Sequence, residues 1–191
     1  STALFSAKTG KSMLGLQDII STTNDSGTLG GLSKTHSWWQ NVAYSTTVDV
    51  DSASAGIYAG FQRFNLLNNQ ASSGNDSIDA IFVDETRYGD LQNVLNGSNY
   101  ARTVLGSENA PGTPTPAIGR AKILMDRDMP SGYGYGINKG SLGLKVQTGL
   151  NFAKTPFRSP HNQLVKIGFI VIAVQLTANN IKRNWVASDL Q

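Results

Sequence analysis

Apolar and polar positions alternate in several short runs along this chain, and two longer stretches repeat at helical spacing. Between Asn41 and Val50, the residues Val42, Tyr44, Thr46, Val48 and Val50 share one alternating face, which predicts a strand. Asp51-Ser52-Ala53-Ser54 then offers N-cap side chains. Ile57, Phe61, Phe64 and Leu67 or Asn68 recur at helical spacing, so a helix is predicted from about Ser54 to Gln70, ended by Ser72-Ser73-Gly74-Asn75. Ile78 to Val83 reads as a buried strand, and Asp84 follows as the N-cap of a helix that buries Tyr88, Leu91 and Leu95. A strand joined to a helix almost without a loop is an α/β-type element.

The remaining stretches are less regular. Ser1 to Thr28 is rich in Ser, Thr and Gly and carries one apolar cluster, Met13-Leu14-Gly15-Leu16 with Ile19-Ile20, which predicts a short helical turn or a packed loop. Gly97 to Ala117 is poor in apolar residues and ends in a segment stiffened by Pro111, Pro114 and Pro116, so an exposed loop is expected. Ala121 to Met125 predicts a strand closed by the turn Met129-Pro130-Ser131-Gly132. Leu142, Leu144 and Val146 alternate with Gly143, Lys145 and Gln147, which predicts a strand with one wet face. Leu164 to Thr177 is expected to be the longest strand and part of the core. No repeat of fixed period is visible.

Two of the three tryptophans, Trp38 and Trp39, are adjacent and follow the double glycine Gly30-Gly31. Neighbours in an extended segment point to opposite faces, so this pair predicts a packing joint between layers or a contact surface.

Composition narrows the class. With 191 residues and 39% apolar content, one folded unit is expected, in two lobes at most. The absence of cysteine removes disulfides and thiolate chemistry and fits an intracellular setting. No basic-then-apolar leader opens the sequence, and the apolar run Leu164 to Leu176 is broken by Lys166, Gly168 and Gln175, so neither a signal peptide nor a membrane span is expected. The net charge of +3 divides unevenly. Residues 1–100 hold 5 Lys/Arg against 9 Asp/Glu, and residues 101–191 hold 11 against 4. The cations are dispersed singly, which argues against a phosphate-binding run and leaves either a solvated face or opposed fields on neighbouring subunits.

Candidate chemistry is weak. Gly10-Lys11-Ser12 matches the end of a phosphate-binding loop, but Phe5 occupies the position that requires the first glycine. Gly132-Tyr133-Gly134-Tyr135-Gly136 lacks a following helix and is expected to be a flexible, aromatic-lined turn covering a sheet edge, with base stacking as the alternative. Asp84-Glu85 and Asp126-Arg127-Asp128 are the carboxylate clusters available for acid/base work or magnesium. His36 and His161 lie 125 positions apart and predict no metal site, and no serine sits in a nucleophile elbow. No catalytic, cofactor or metal residue is assigned, and no cofactor is expected.

The order of the pieces is more informative than any one of them. Gly15-Leu16-Gln17-Asp18-Ile19-Ile20, then Gly30-Gly31-Leu32 leading to Trp38-Trp39-Gln40-Asn41, then the helix at 54–70, the unit from Asp79 to Leu95, the loop, Ala121 to Asp128 with Pro130-Ser131-Gly132, and a terminal pair of long strands together resemble the C-terminal part of a tailed-bacteriophage major capsid protein of the Hong Kong type. That resemblance implies an α+β fold: a central mixed sheet with flanking helices as the axial domain, plus a long strand hairpin in the peripheral domain. It implies one capsid-like unit over 1–191, with peripheral-domain-like parts at approximately 1–50 and 140–191 and an axial-domain-like part at approximately 51–139. Trp38 and Trp39 would mark the lobe junction. Asn109, Pro111, Thr113 and Pro114, in the loop expected at the capsomer axis, would join them as candidate self-assembly residues.

The function implied is that of a non-enzymatic shell subunit assembling into hexamers and pentamers around double-stranded DNA, without sequence-specific binding and without a membrane. Scaffolding, portal or decoration proteins would be further partners. The implied location is the virion, assembled in the bacterial host cytoplasm. The N-terminal arm, extended loop and spine helix of that family would need to precede Gly15, so the chain is expected to be the C-terminal portion of a longer coat protein. Two alternatives stand beside it: an encapsulin-like nanocompartment shell protein, and an α/β hydrolase or nucleotide-binding enzyme using Asp84 or Asp126.

Overall fold

A computed structural model describes residues 13–45, 59–74, 76–97, 116–159, 161 and 164–190. Gly10-Lys11-Ser12, the strand beyond Ser45, the start of the helix predicted from Ser54, and the proline-rich loop with Asn109, Pro111, Thr113 and Pro114 lie outside the described residues.

Among the described residues three α-helices are formed: α1 (Leu16–Ile19), α2 (Ala59–Ala71) and α3 (Glu85–Gly97). The strands among the described residues are β1 (Thr28–Leu29), β2 (Leu32–Ser33), β3 (Val42–Tyr44), β4 (Ala80–Val83), β5 (Ala117–Ile118), β6 (Ala121–Met125), β7 (Gly134–Ile137), β8 (Leu142–Val146), β9 (Ala153–Lys154), β10 (Ile170–Val171), β11 (Val174–Ala178) and β12 (Trp185–Ala187). Six of them make one sheet in the order β3-β12-β7-β4-β6-β5. The pairs β12–β3 and β4–β6 are parallel and the others antiparallel, so the sheet is mixed. The terminal ranges and the middle of the chain share it, since β3 and β12 pair into the sheet built from β4 to β7.

Both faces of the sheet are covered, which its sequence accounts for. Ile81, Val83, Ala121, Ile123, Trp185 and Ala187 point to one side, where Phe64, Leu67 and Ala71 of α2 and Leu91 of α3 complete a core. The spacing of Phe64, Leu67 and Ala71 places them on one face of α2. On the other side Tyr135, Ile137 and Val186 pack with Leu16, Ile19 and Ile20 and with Leu176 and Ile181. Alternation along each strand delivers one residue to each core in turn. Burial of each large side chain stabilises the fold by about 1.5–3 kcal/mol.

Local signals decide the details. Gly30 and Gly31 have φ of 61° and 82°, and with Leu29 paired to Leu32 they form a two-residue hairpin turn that requires positive φ at both central positions. In α1 the Asp18 carboxylate reaches back to accept the Gly15 N–H at 3.0 Å.

Three expectations are corrected. Gly134–Ile137 is a fully buried central strand, not a flexible turn. The glycines are there because the Trp185 indole lies against the backbone: a Cβ on Gly136 would stand 2.0 Å from the indole nitrogen. Trp38 and Trp39 sit in a single 3-10 turn (Ser37–Trp39) rather than an extended segment. Leu164 to Thr177 is not one core strand. It is divided into β10 and β11, and from Leu164 to Ile172 its large apolar side chains are exposed, because none of the described residues forms a second layer over them.

Candidate assembly surface

The feature that calls for a function is a two-stranded ribbon leaving the sheet between β7 and β12. Its base is β8 against β11, antiparallel from Leu142 opposite Ala178 to Val146 opposite Val174. A turn at residues 147–150, closed by the Leu150 N–H on the Gln147 carbonyl at 3.0 Å, inserts extra residues into one strand. Pairing then resumes with β9 against β10 and reaches Arg158 opposite Ile167. Thr155 fastens this outer part twice, its N–H donating to the Phe169 carbonyl at 2.8 Å and its Oγ1 accepting the Phe169 N–H at 2.7 Å.

A buried polar knot roots the ribbon. The Asn184 Oδ1 accepts the Asn138 N–H at 2.9 Å, and its Nδ2 lies 2.8 Å from the Ser141 Oγ. The Asn138 Oδ1 accepts the Ser141 N–H at 3.0 Å, and its Nδ2 donates to the Ser77 carbonyl at 2.7 Å. These three side chains tie the end of β7, the start of β8 and the start of β12 together. Sequence reasoning missed them, since an asparagine in a turn normally signals solvent.

Beyond the knot the ribbon is apolar and uncovered. Of the sixteen large apolar side chains exposed among the described residues, eleven lie between Leu144 and Ile172, with Phe157 74% and Phe169 66% exposed. Monomeric proteins rarely leave so many large apolar side chains of one element in water. Thr155, Pro156, Arg158, Ser159, Ile167 and Phe169 line an open hollow of about 500 Å³ on it. The ribbon is also of one sign: Lys145, Lys154, Arg158 and Lys166 are its charged residues, and no Asp or Glu occurs between Asp128 and Asp189.

Trp38 and Trp39 are brought near the ribbon's root, because their turn packs on that of Ile181–Arg183. They part company there. Trp39 packs partly buried beside the second core and its indole N–H donates to the Leu29 carbonyl at 3.3 Å. Trp38 is 55% exposed and stacks on His36 with ring centroids 5.4 Å apart. The turn is held from beneath by Lys34, whose backbone carbonyl accepts the Gln40 Nε2 at 2.7 Å and whose Nζ donates to the Asp18 carbonyl at 3.1 Å. Burial lowers the Lys34 pKa from its usual 10.5, against the opposing pull of the Asp18 charge.

The carboxylate clusters are engaged in local structure. The buried Asp84 accepts from the Ser131 hydroxyl at 3.3 Å, while the Asp126 Oδ1 accepts the Asp128 N–H at 2.9 Å in a side-chain-closed turn. Among the described residues no three His, Asp or Glu side chains are grouped to hold a metal ion, and no helix is long and apolar enough to cross a membrane.

No protein-family model matches the chain, and no curated protein matches it in sequence. The structure is similar to a chain of the cyanophage A-1(L) capsid asymmetric unit, with a TM-score of 0.66 at 15% sequence identity over 99% of this chain. This chain spans 64% of that neighbour's length. The fold is therefore phage-capsid-like and α+β: a central mixed sheet with flanking helices and a strand hairpin.

Proposed function

We propose that the chain is a structural subunit of a tailed-bacteriophage head, the C-terminal portion of a Hong Kong-type coat protein whose copies form hexamers and pentamers around packaged double-stranded DNA. The observation that carries this reading is the likeness of 99% of the chain to the cyanophage capsid chain. The uncovered ribbon supports it independently, since a subunit destined for a shell leaves apolar surface bare until its neighbours arrive. In this reading the six-stranded sheet with α2 and α3 is the axial part and the ribbon belongs to the periphery. The work of the protein is then repeated self-association rather than catalysis, with the virion as its destination and scaffolding, portal or decoration proteins as further contacts.

Light scattering and electron microscopy of the full polypeptide, of which this chain is all or part, test the reading. Ring-shaped capsomers or closed shells are expected. A polypeptide that stays monomeric at every concentration and never yields particles overturns it.

A further inference from the structure

The two ends of the central sheet differ in chemistry. Strands β4 and β6 are parallel and in register from Ala80 opposite Lys122 to Val83 opposite Met125. The residues that follow them therefore emerge together at one end, with Glu85, Asp126 and Asp128 reaching the surface, Arg127 as a cation among them and Asp84 buried beneath. Met125 and Leu124 lie beside them with 51% and 37% exposure. This end is acidic and apolar.

The ribbon leaves from the opposite end. Strand β7 runs antiparallel to β4, with Gly134 opposite Val83 and Ile137 opposite Ala80, so Asn138 to Ser141 and the start of β8 lie beyond Ala80. Strand β12 begins with Trp185 opposite Gly136, so the returning strand of the ribbon enters from that side too. Within the described residues no carboxylate pairs with Lys145, Lys154, Arg158 or Lys166. The basic, apolar ribbon and the acidic, apolar sheet end do not meet within one copy.

We infer that the ribbon's occupant is a second copy of this chain, with residues 145–159 and 164–172 of one copy seated head to tail on the Glu85/Asp126 end of the next. The inference rests on the shell-subunit reading and names the partner surface within it. Like-charged ribbons disfavour ribbon-on-ribbon contact, whereas the acidic end supplies both the opposite sign and apolar side chains. The hollow beside Arg158 fits an unbranched apolar side chain such as Met125, with Asp126 next to it in sequence facing the guanidinium. A contact between two different surfaces of one chain is heterologous and closes into a ring when the rotation permits.

Paired charge reversals in the full polypeptide provide the test. K154E with R158E on the ribbon, and E85K with D128K on the sheet end, are each expected to weaken association by about tenfold or more at low salt, and the four together to restore it within a few-fold. Circular dichroism melts confirm that each variant is folded, as expected for substitutions of exposed or half-exposed side chains. The inference is overturned if ribbon reversal leaves association unchanged, if it reduces only binding to DNA, or if sheet-end reversal neither weakens association nor rescues the ribbon variant. An unsubstituted polypeptide that never associates overturns the shell-subunit reading along with it, so the two failures are distinguishable.

Discussion

The Trp185 indole N–H donates to the Asn68 carboxamide at 2.7 Å, joining the last strand to α2 across 117 positions of sequence. The same ring stacks on Phe64 with centroids 5.4 Å apart and lies against the backbone of Gly136. One side chain thus fixes the distance between helix layer and sheet.

Gly136→Ala tests that arrangement. The added methyl would meet the indole nitrogen at 2.0 Å, and Trp185 is wholly buried with no room to retreat. Overpacking of this kind costs about 3 kcal/mol. Urea unfolding is expected to show a loss of that order, and a midpoint equal to that of the parent would mean the ring does not lie there. Asn68→Leu, which strands the indole N–H, is expected to lose about 1–3 kcal/mol.

The Asn184 knot predicts a loss that reaches outward along the ribbon. Asn184→Ala leaves the Asn138 N–H without its acceptor and takes a partner from the Ser141 hydroxyl, all in a buried setting. We expect about 2–4 kcal/mol of destabilisation. Hydrogen exchange should quicken at β8 and β11 beyond the global change. Uniform quickening across the whole chain would instead mean that the knot serves the core and not the ribbon's root.

Where hydropathy and burial coincide, the sequence was legible. The run ending at Val83 and the spacing of Phe64, Leu67 and Asn68 led directly to β4 and α2, because those residues are buried within this chain. The glycines of β7 carry no hydropathy signal, so a strand whose purpose is to make room for Trp185 read as a turn. The ribbon misled for the converse reason. Leu164 to Ile172 is as apolar as a core strand, but hydropathy reports that a surface wants to be covered, not which molecule covers it.

Tyr135 ties stability to alkaline pH. Burial, with the neighbouring Tyr133 adding to it, pushes the Tyr135 phenol from 10.0 up to about 12. The folded-state pKa lies above the unfolded value, so the unfolded chain loses its proton first as pH rises. The contribution is complete below pH 10 and is lost as the pH climbs through about 12. A shift of this size corresponds to about 2–3 kcal/mol. Tyr135→Phe should flatten that part of the stability profile relative to the parent, and an unchanged slope would remove Tyr135 as its source.

Trp38 and Trp39 should separate stability from assembly. Trp39 packs partly buried beside the second core and bonds the Leu29 carbonyl, so Trp39→Ala is expected to lose about 2 kcal/mol, below the cost of a fully buried tryptophan. Trp38 is more than half exposed and rests on His36, so Trp38→Ala should stay within about 0.5 kcal/mol of the parent. An exposed indole beside the ribbon's root is, however, the kind of aromatic anchor that interfaces bury. Sedimentation of the full polypeptide is therefore expected to show weaker association for Trp38→Ala at unchanged melting temperature. Iodide should quench Trp38 emission in the dissociated form and lose access to it on assembly. Equal quenching in both forms would place Trp38 on a surface that the shell leaves open.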